Sequence, residues 1–130
     1  MKVSTYKDVI NSFHSTFQDK VALPEELERI WFLKAVGKFS LEFEPLYFDE
    51  EVLEFSKPLE RHMIDTLGLL MKKYYQEREL SKVNKRVSIV GKDISIDASN
   101  GTKEAAKNEL DYINSELKQL TQKQMSSEQG

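Results

Sequence analysis

The sequence predicts a mainly α fold: a small four-helix, bundle-like domain with one β-hairpin between the third and fourth helices. Three observations predict it. Apolar residues recur at three- and four-residue spacing in four separate stretches. Pro24 and Pro58 each stand where a helix would open. Between about residues 86 and 97 the apolar period shortens from 3.6 to two.

The first helix is expected over Ser4 to Asp19, with Tyr6, Val9, Ile10, Phe13 and Phe17 on one face and Ser4 or Thr5 capping the start. The second opens at Pro24, and Glu25, Glu26 and Glu28 sit where the helix dipole favours negative charge. Leu27, Ile30, Trp31, Val36 and Phe39 are expected to face inward, with Phe32 and Leu33 widening that face and Gly37 weakening the helix near its end. Ser40 to Lys57 reads as a long, acidic, aromatic-studded connection, in which Asp49 to Glu54 suits a one- or two-turn helix capped by Asp49.

The third helix, capped by Ser56 or Lys57 and opened by Pro58, is expected to run to about Lys85. Met63, Leu67, Leu70 and Tyr74 make a bundle seam, with Ile64 and Met71 beside it. Beyond Tyr75 the pattern turns polar, so that end projects from the body or packs on a partner. In the hairpin, Val87 and Ile89 alternate on one strand and Ile94 and Ile96 on the other, and Gly91-Lys92 suits a two-residue turn. An isolated hairpin is marginal in water, so this one needs another surface to cover it. After a turn at Ser99-Asn100-Gly101, a fourth helix is expected from Thr102. Its heptad Ala106, Leu110, Ile113, Leu117 and Leu120 would pack antiparallel on the third helix. Residues 1–121 form a single domain on this reading, and 122–130 are a polar tail, disordered or held by a partner.

Composition narrows the function classes. The chain has 130 residues, the size of one domain. It contains no cysteine, which excludes disulfide scaffolds, zinc ribbons and thiol nucleophiles. No stretch approaches the roughly 18 apolar residues of a membrane span, and Met1-Lys2-Val3-Ser4 lacks the apolar core of a signal peptide. A net charge of −3 argues against a generally basic nucleic-acid binder.

Catalytic arrangements find little to work with. The two histidines, His14 and His62, read as structural or solvated; His62 and Asp65 stand close enough along a helix to touch. Asp49, Glu50, Glu51 and Glu54 lack the alternation and the glycine of a calcium loop. Gly101 before a helix reads as a turn and cap. No catalytic, cofactor-binding or metal-binding residue is assigned, and the chain is expected not to be an enzyme.

Charge is distributed unevenly. Residues 1–65 carry 8 basic and 13 acidic side chains, and residues 66–130 carry 11 basic and 9 acidic ones. Asp49, Glu50, Glu51 and Glu54 lie in the acidic stretch; Lys72, Lys73, Arg78, Lys82, Lys85 and Arg86 lie in the basic one, which extends to Lys92. Opposed patches of this kind steer one copy of a chain onto another. These two patches and the hairpin residues Val87, Ile89, Ile94 and Ile96 are the candidate interface.

This order of elements resembles the head–tail connector (adaptor, or head-completion) proteins of tailed double-stranded DNA bacteriophages. The likeness is carried by the N-terminal helical pair, the long helix from Pro58, the stretch Val87-Ser88-Ile89-Val90-Gly91-Lys92-Asp93-Ile94-Ser95-Ile96, and the run Asn100-Gly101-Thr102-Lys103-Glu104-Ala105-Ala106-Lys107-Asn108-Glu109-Leu110 into a C-terminal helix. It is a likeness of size, order and local texture, and no residue is transferred as a family motif. It implies a homo-oligomeric ring, commonly of twelve copies, in the virion neck. Such a ring docks on the portal protein, offers a surface to the next neck or tail protein, and lets DNA pass without specific binding. The polar tail, with Gln122, Lys123, Gln124 and Met125, is the candidate portal-docking segment. The chain would be made in the bacterial host cytoplasm, with no membrane partner and no cofactor. Two other readings stand beside it: a small nucleic-acid-binding regulator using the Lys72–Lys92 patch, and a generic helical protein-interaction adaptor.

Overall fold

A computed structural model describes the backbone of residues 2–17, 22–90 and 96–129, and the side chains of 2–17, 22–83, 104–120 and 122. Its elements are α1 (Tyr6–Ser15), α2 (Glu25–Glu42), β1 (Phe48–Asp49), β2 (Glu54–Phe55), α3 (Arg61–Val90) and α4 (Ile96–Gln129). The fold is mainly helical with one short antiparallel hairpin, and that hairpin lies between α2 and α3.

Of the two hydroxyls that could open α1, Thr5 makes the capping box. Its side chain accepts from the Asp8 amide at 3.3 Å, and the Asp8 carboxylate accepts from the Thr5 amide at 2.9 Å. Ser4 has a different task. It is buried, and its Oγ accepts from the Leu59 amide at 2.7 Å, just before α3. Its carbonyl accepts from Phe55 at 2.9 Å, and Tyr6 donates to Leu53 at 3.0 Å. The N-terminal segment is thereby stitched to the free side of β2, and Thr5 forms a bridge to Glu54.

Helix α3 is central. Met63, Ile64, Leu67, Leu70, Met71 and Tyr74 face α1, α2 and the hairpin, and all six are buried. At Gly68 an added Cβ would stand 2.8 Å from Ser12 Oγ and 3.0 Å from the Phe13 amide nitrogen, so the crossing with α1 is close. Ser12 fixes that crossing by donating to Asp65 at 2.9 Å. The opposite side of α3 packs on α4, which runs antiparallel to it. Gln76 donates to the Ala106 carbonyl at 3.1 Å, and Lys72 faces Glu109. Ile113 is 2% exposed, while Ala106, Leu110, Leu117 and Leu120 are half-buried, so the predicted heptad is the packing face.

The hairpin's core is aromatic. Phe48 and Phe55 are cross-strand partners. Both rings pack on Phe32 of α2, with centroids 4.7 and 5.9 Å away, and Tyr6 of α1 meets Phe32 edge-on at 4.8 Å. At the far end of α1, Phe17 and Trp31 both meet Tyr75, at 4.9 and 6.1 Å. Along α3 the main core ends there: no described residue beyond Tyr75 on this helix belongs to it. The later turns of α3 pack on α4.

Several expectations are corrected. The stretch predicted as a β-hairpin is helical through Val90 on one side and from Ile96 on the other. Val87 and Ile89 therefore belong to α3 and Ile96 to α4; Ile94 lies outside the described residues. The same valines satisfy both periods, since Leu80, Val83, Val87 and Val90 also recur at 3-4-3 spacing in the sequence. Ser99-Asn100-Gly101 lies within α4, and Thr102 is not its cap. A helical glycine costs about 1 kcal/mol, and the backbone of α4 continues through this one. Nor does the chain leave the helix at Thr121. Glycine and proline are absent up to Gln129, and the backbone continues in α4. Asp49 to Glu54 is the hairpin and its turn, and α3 begins at Arg61, three residues after Pro58.

Candidate functional site

Helix α2 is apolar on two sides. Glu28, Trp31, Phe32, Ala35, Val36 and Phe39 face the core. Ile30, Leu33 and Leu41 face away, and Ile30 is 60% and Leu41 86% exposed. Ile30 and Leu33 were expected inside; the larger aromatic volume of Trp31, Phe32 and Phe39 takes the inner position. Gly37 lies on the same outer stripe, and nothing stands within 4 Å of where its Cβ would be. A helix apolar all round is ordinarily buried all round.

The hairpin extends this surface. Tyr47 and Val52 are exposed large apolar residues, so five of the six such residues in the described chain (Tyr112 is the sixth) come from α2 and the hairpin. An open groove of about 590 Å³ runs over the hairpin, lined by Val3, Tyr47, Val52 and Phe55 with Asp49 and Glu54. A second, smaller hollow joins Leu33 and Arg29 of α2 to Glu50 and Leu53 of the turn. The turn holds its shape through Asp49 Oδ1, which accepts from the Glu51 amide at 2.9 Å, and through Leu53 at φ +57°.

The acids assigned from sequence cluster on this surface. Asp49, Glu50 and Glu51 are exposed and Glu54 is half-buried. Among the described residues none of the four has an ion-pair partner, whereas Glu42 holds Lys38 at 2.9 Å and Glu44 holds Lys57 at 3.5 Å.

The basic residues divide. Lys72 is buried at 7% exposure; its ammonium lies 3.4 Å from the centroid of the Phe17 ring and 5.2 Å from that of Tyr75. Burial pushes its pKa down, and Glu109 opposes that shift. It is therefore a core cation held by rings, out of reach of a phosphate or a partner's carboxylate. Lys73 is half-buried. Arg78 and Lys82 stand on the outer turns of α3, with Glu79 between them at 4.0 and 3.3 Å. Lys85 and Arg86 follow on the same helix, and their side chains lie outside the described residues. At about 1.5 Å per residue, Lys82 lies roughly 32 Å along α3 from Arg61.

The remaining candidates do not gather. Gln122 is exposed, and the side chains of Lys123, Gln124 and Met125 lie outside the described residues. His14 meets the buried Glu28 at 2.8 Å, and His62 meets Glu60 at 3.2 Å rather than Asp65, which is taken by Ser12 and Arg61. Among the described residues, no group of three or more His, Asp or Glu is placed to hold a metal ion, and no helix is long and apolar enough to cross a membrane. The outer stripe of α2 and the hairpin groove were missed from sequence. Their signal was the presence of apolar residues on both sides of α2.

Compared with known proteins, the chain matches no family model, no curated protein and no solved structure.

Proposed function

We propose that this chain is a structural assembly protein that acts by fitting against copies of itself and larger neighbours. Its particular role is that of a head–tail connector subunit of a tailed double-stranded DNA bacteriophage. Copies form a ring in the virion neck, beneath the portal, and extend the DNA channel toward the next neck or tail protein. The chain does this without a reacting group, a metal or a cofactor.

One observation supports this reading most strongly: α2 leaves Ile30, Leu33 and Leu41 exposed on the side opposite its core-facing residues, an apolar helix surface that association with another chain would cover. A net charge of −3 suits a channel in which DNA must slide, because few phosphates are neutralised.

Cryo-electron microscopy of particles from the source organism tests the proposal. Density for this chain between portal and tail is the expected result; particles whose neck lacks it would remove the connector role.

A further inference from the structure

We infer that the outer face of α2 and the hairpin of one copy takes the distal part of α3 of a second copy, in a head-to-tail contact. The inference deepens the assembly reading and rests on it: it names the partner of that face and the surface that fits it.

One chain carries two surfaces of contrasting charge. The first is apolar and acidic. Ile30, Leu33, Tyr47 and Val52 supply the apolar part, and Asp49, Glu50 and Glu51 supply charge without an ion-pair partner among the described residues. The shared hollow of Arg29, Leu33, Glu50 and Leu53 makes the two parts continuous, with Arg29, over the Tyr6 ring, as its one cation among the described residues. The second surface is basic. Arg78 and Lys82 stand beyond the end of the main core, and among the described residues they share Glu79 as ion-pair partner; the sequence adds Lys85 and Arg86 along the same helix.

Among the described residues, no ion pair joins these surfaces within one molecule. Between two molecules they can meet. A two-fold contact through the first surface would set Glu50 and Glu51 against their own copies, and one through the second would set Arg78 and Lys82 against theirs. Like charges oppose both. The head-to-tail arrangement pairs opposite signs and covers Val52 and Leu33 at once. It is also the arrangement that propagates, since each copy keeps one free face of each kind.

Cross-linking tests this directly, because the chain has no cysteine and any introduced thiol is unique. Val52→Cys and Lys82→Cys are prepared separately and treated with a short bismaleimide, alone and mixed. The expected result is a cross-linked dimer in the mixture, several-fold above either variant alone, that fades as salt is raised. Cross-linking of Val52→Cys to itself at equal or higher yield overturns the inference, because the contact is then two-fold. Copies that associate in sedimentation but never join positions 52 and 82 overturn it too, while leaving self-assembly standing. A chain that cross-links as expected but is missing from virion necks leaves this contact intact and removes only the connector role.

Discussion

Replacing Gly68 by alanine measures how closely α1 and α3 cross. The added Cβ meets Ser12 Oγ at 2.8 Å, Ser12 Cβ at 3.1 Å and the Phe13 amide nitrogen at 3.0 Å. Ser12 cannot simply turn away, because its hydroxyl donates to Asp65 at 2.9 Å. The Phe13 nitrogen is backbone and cannot rotate at all. Overpacking of this kind costs about 1–3 kcal/mol. Alanine also improves helix propensity by about 1 kcal/mol, so the net loss should be about 0–2 kcal/mol. Gly37→Ala is the matched control. It carries the same propensity gain, and nothing lies within 4 Å of its Cβ. It should stabilise by about 0.5–1 kcal/mol. The difference between the two variants isolates the packing contribution. Urea unfolding followed by far-ultraviolet circular dichroism reads both, with unchanged m-values securing the comparison. Adding Ser12→Ala to Gly68→Ala should give a loss smaller than the sum of the two single losses, because the nearest clash is gone. A Gly68→Ala protein as stable as Gly37→Ala would refute the close crossing.

Two further outcomes follow from the same contacts. Ser4→Ala leaves the Leu59 amide without its acceptor at a buried position, so it should lose about 1–3 kcal/mol in urea unfolding, more than the roughly 1 kcal/mol of a lost Thr5 cap. A protein no less stable than Thr5→Ala would remove Ser4 from the role of joining the N-terminus to α3. Burial raises the pKa of Tyr6, Tyr74 and Tyr75 and lowers that of Lys72. The unfolded chain therefore loses tyrosine protons first, and stability falls as pH rises past the ordinary tyrosine value of 10.0. Lys72 acts with the opposite sign. The unfolded chain keeps that proton longer, so stability rises with pH between its lowered pKa and the ordinary 10.5. In urea midpoints measured along the alkaline limb, Tyr74→Phe should flatten the fall and Lys72→Met should abolish the rise. An unchanged profile in both would contradict their burial.

How much of this was legible in the sequence depends on how many turns carried each signal. The helices were, because their apolar spacing persists for several turns: Val9 and Phe13 in α1, Met63 to Tyr74 in α3, Ala106 to Leu120 in α4. The true hairpin was hidden because each strand has two residues, too few to show a period. Its turn, Glu50-Glu51-Val52-Leu53, also has no glycine or asparagine, and Leu53 takes the positive φ that such residues usually supply. The stretch around Val87 to Ile96 misled for the converse reason: two periods fit it, and the neighbouring seam of α3 and α4 extends the helical one. The acidic cluster of the candidate surface was legible as composition. Lys72 was not, because its burial depends on Phe17 and on α4, which only the tertiary arrangement brings to it.

Helix α3 connects these features. One continuous helix carries the body on its first turns and packs on α4 beyond it, and in the proposed assembly it joins the acidic face to the basic one. Affinity between copies is set by what the two faces bury and pair. Closure is set by geometry: a head-to-tail contact makes a ring when the rotation from one copy to the next divides a full turn, and a filament when it does not. The close α1–α3 crossing at Gly68 lies between the two faces. A substitution there that shifts α1 on α3 by a few tenths of an ångström leaves Glu50, Glu51, Arg78 and Lys82 untouched but changes the angle they subtend. Such a change is multiplied around the assembly, once per copy. If copies assemble head to tail as proposed, ring size is controlled by packing inside the subunit and the strength of the contact by residues on its surface, and the two can be altered independently.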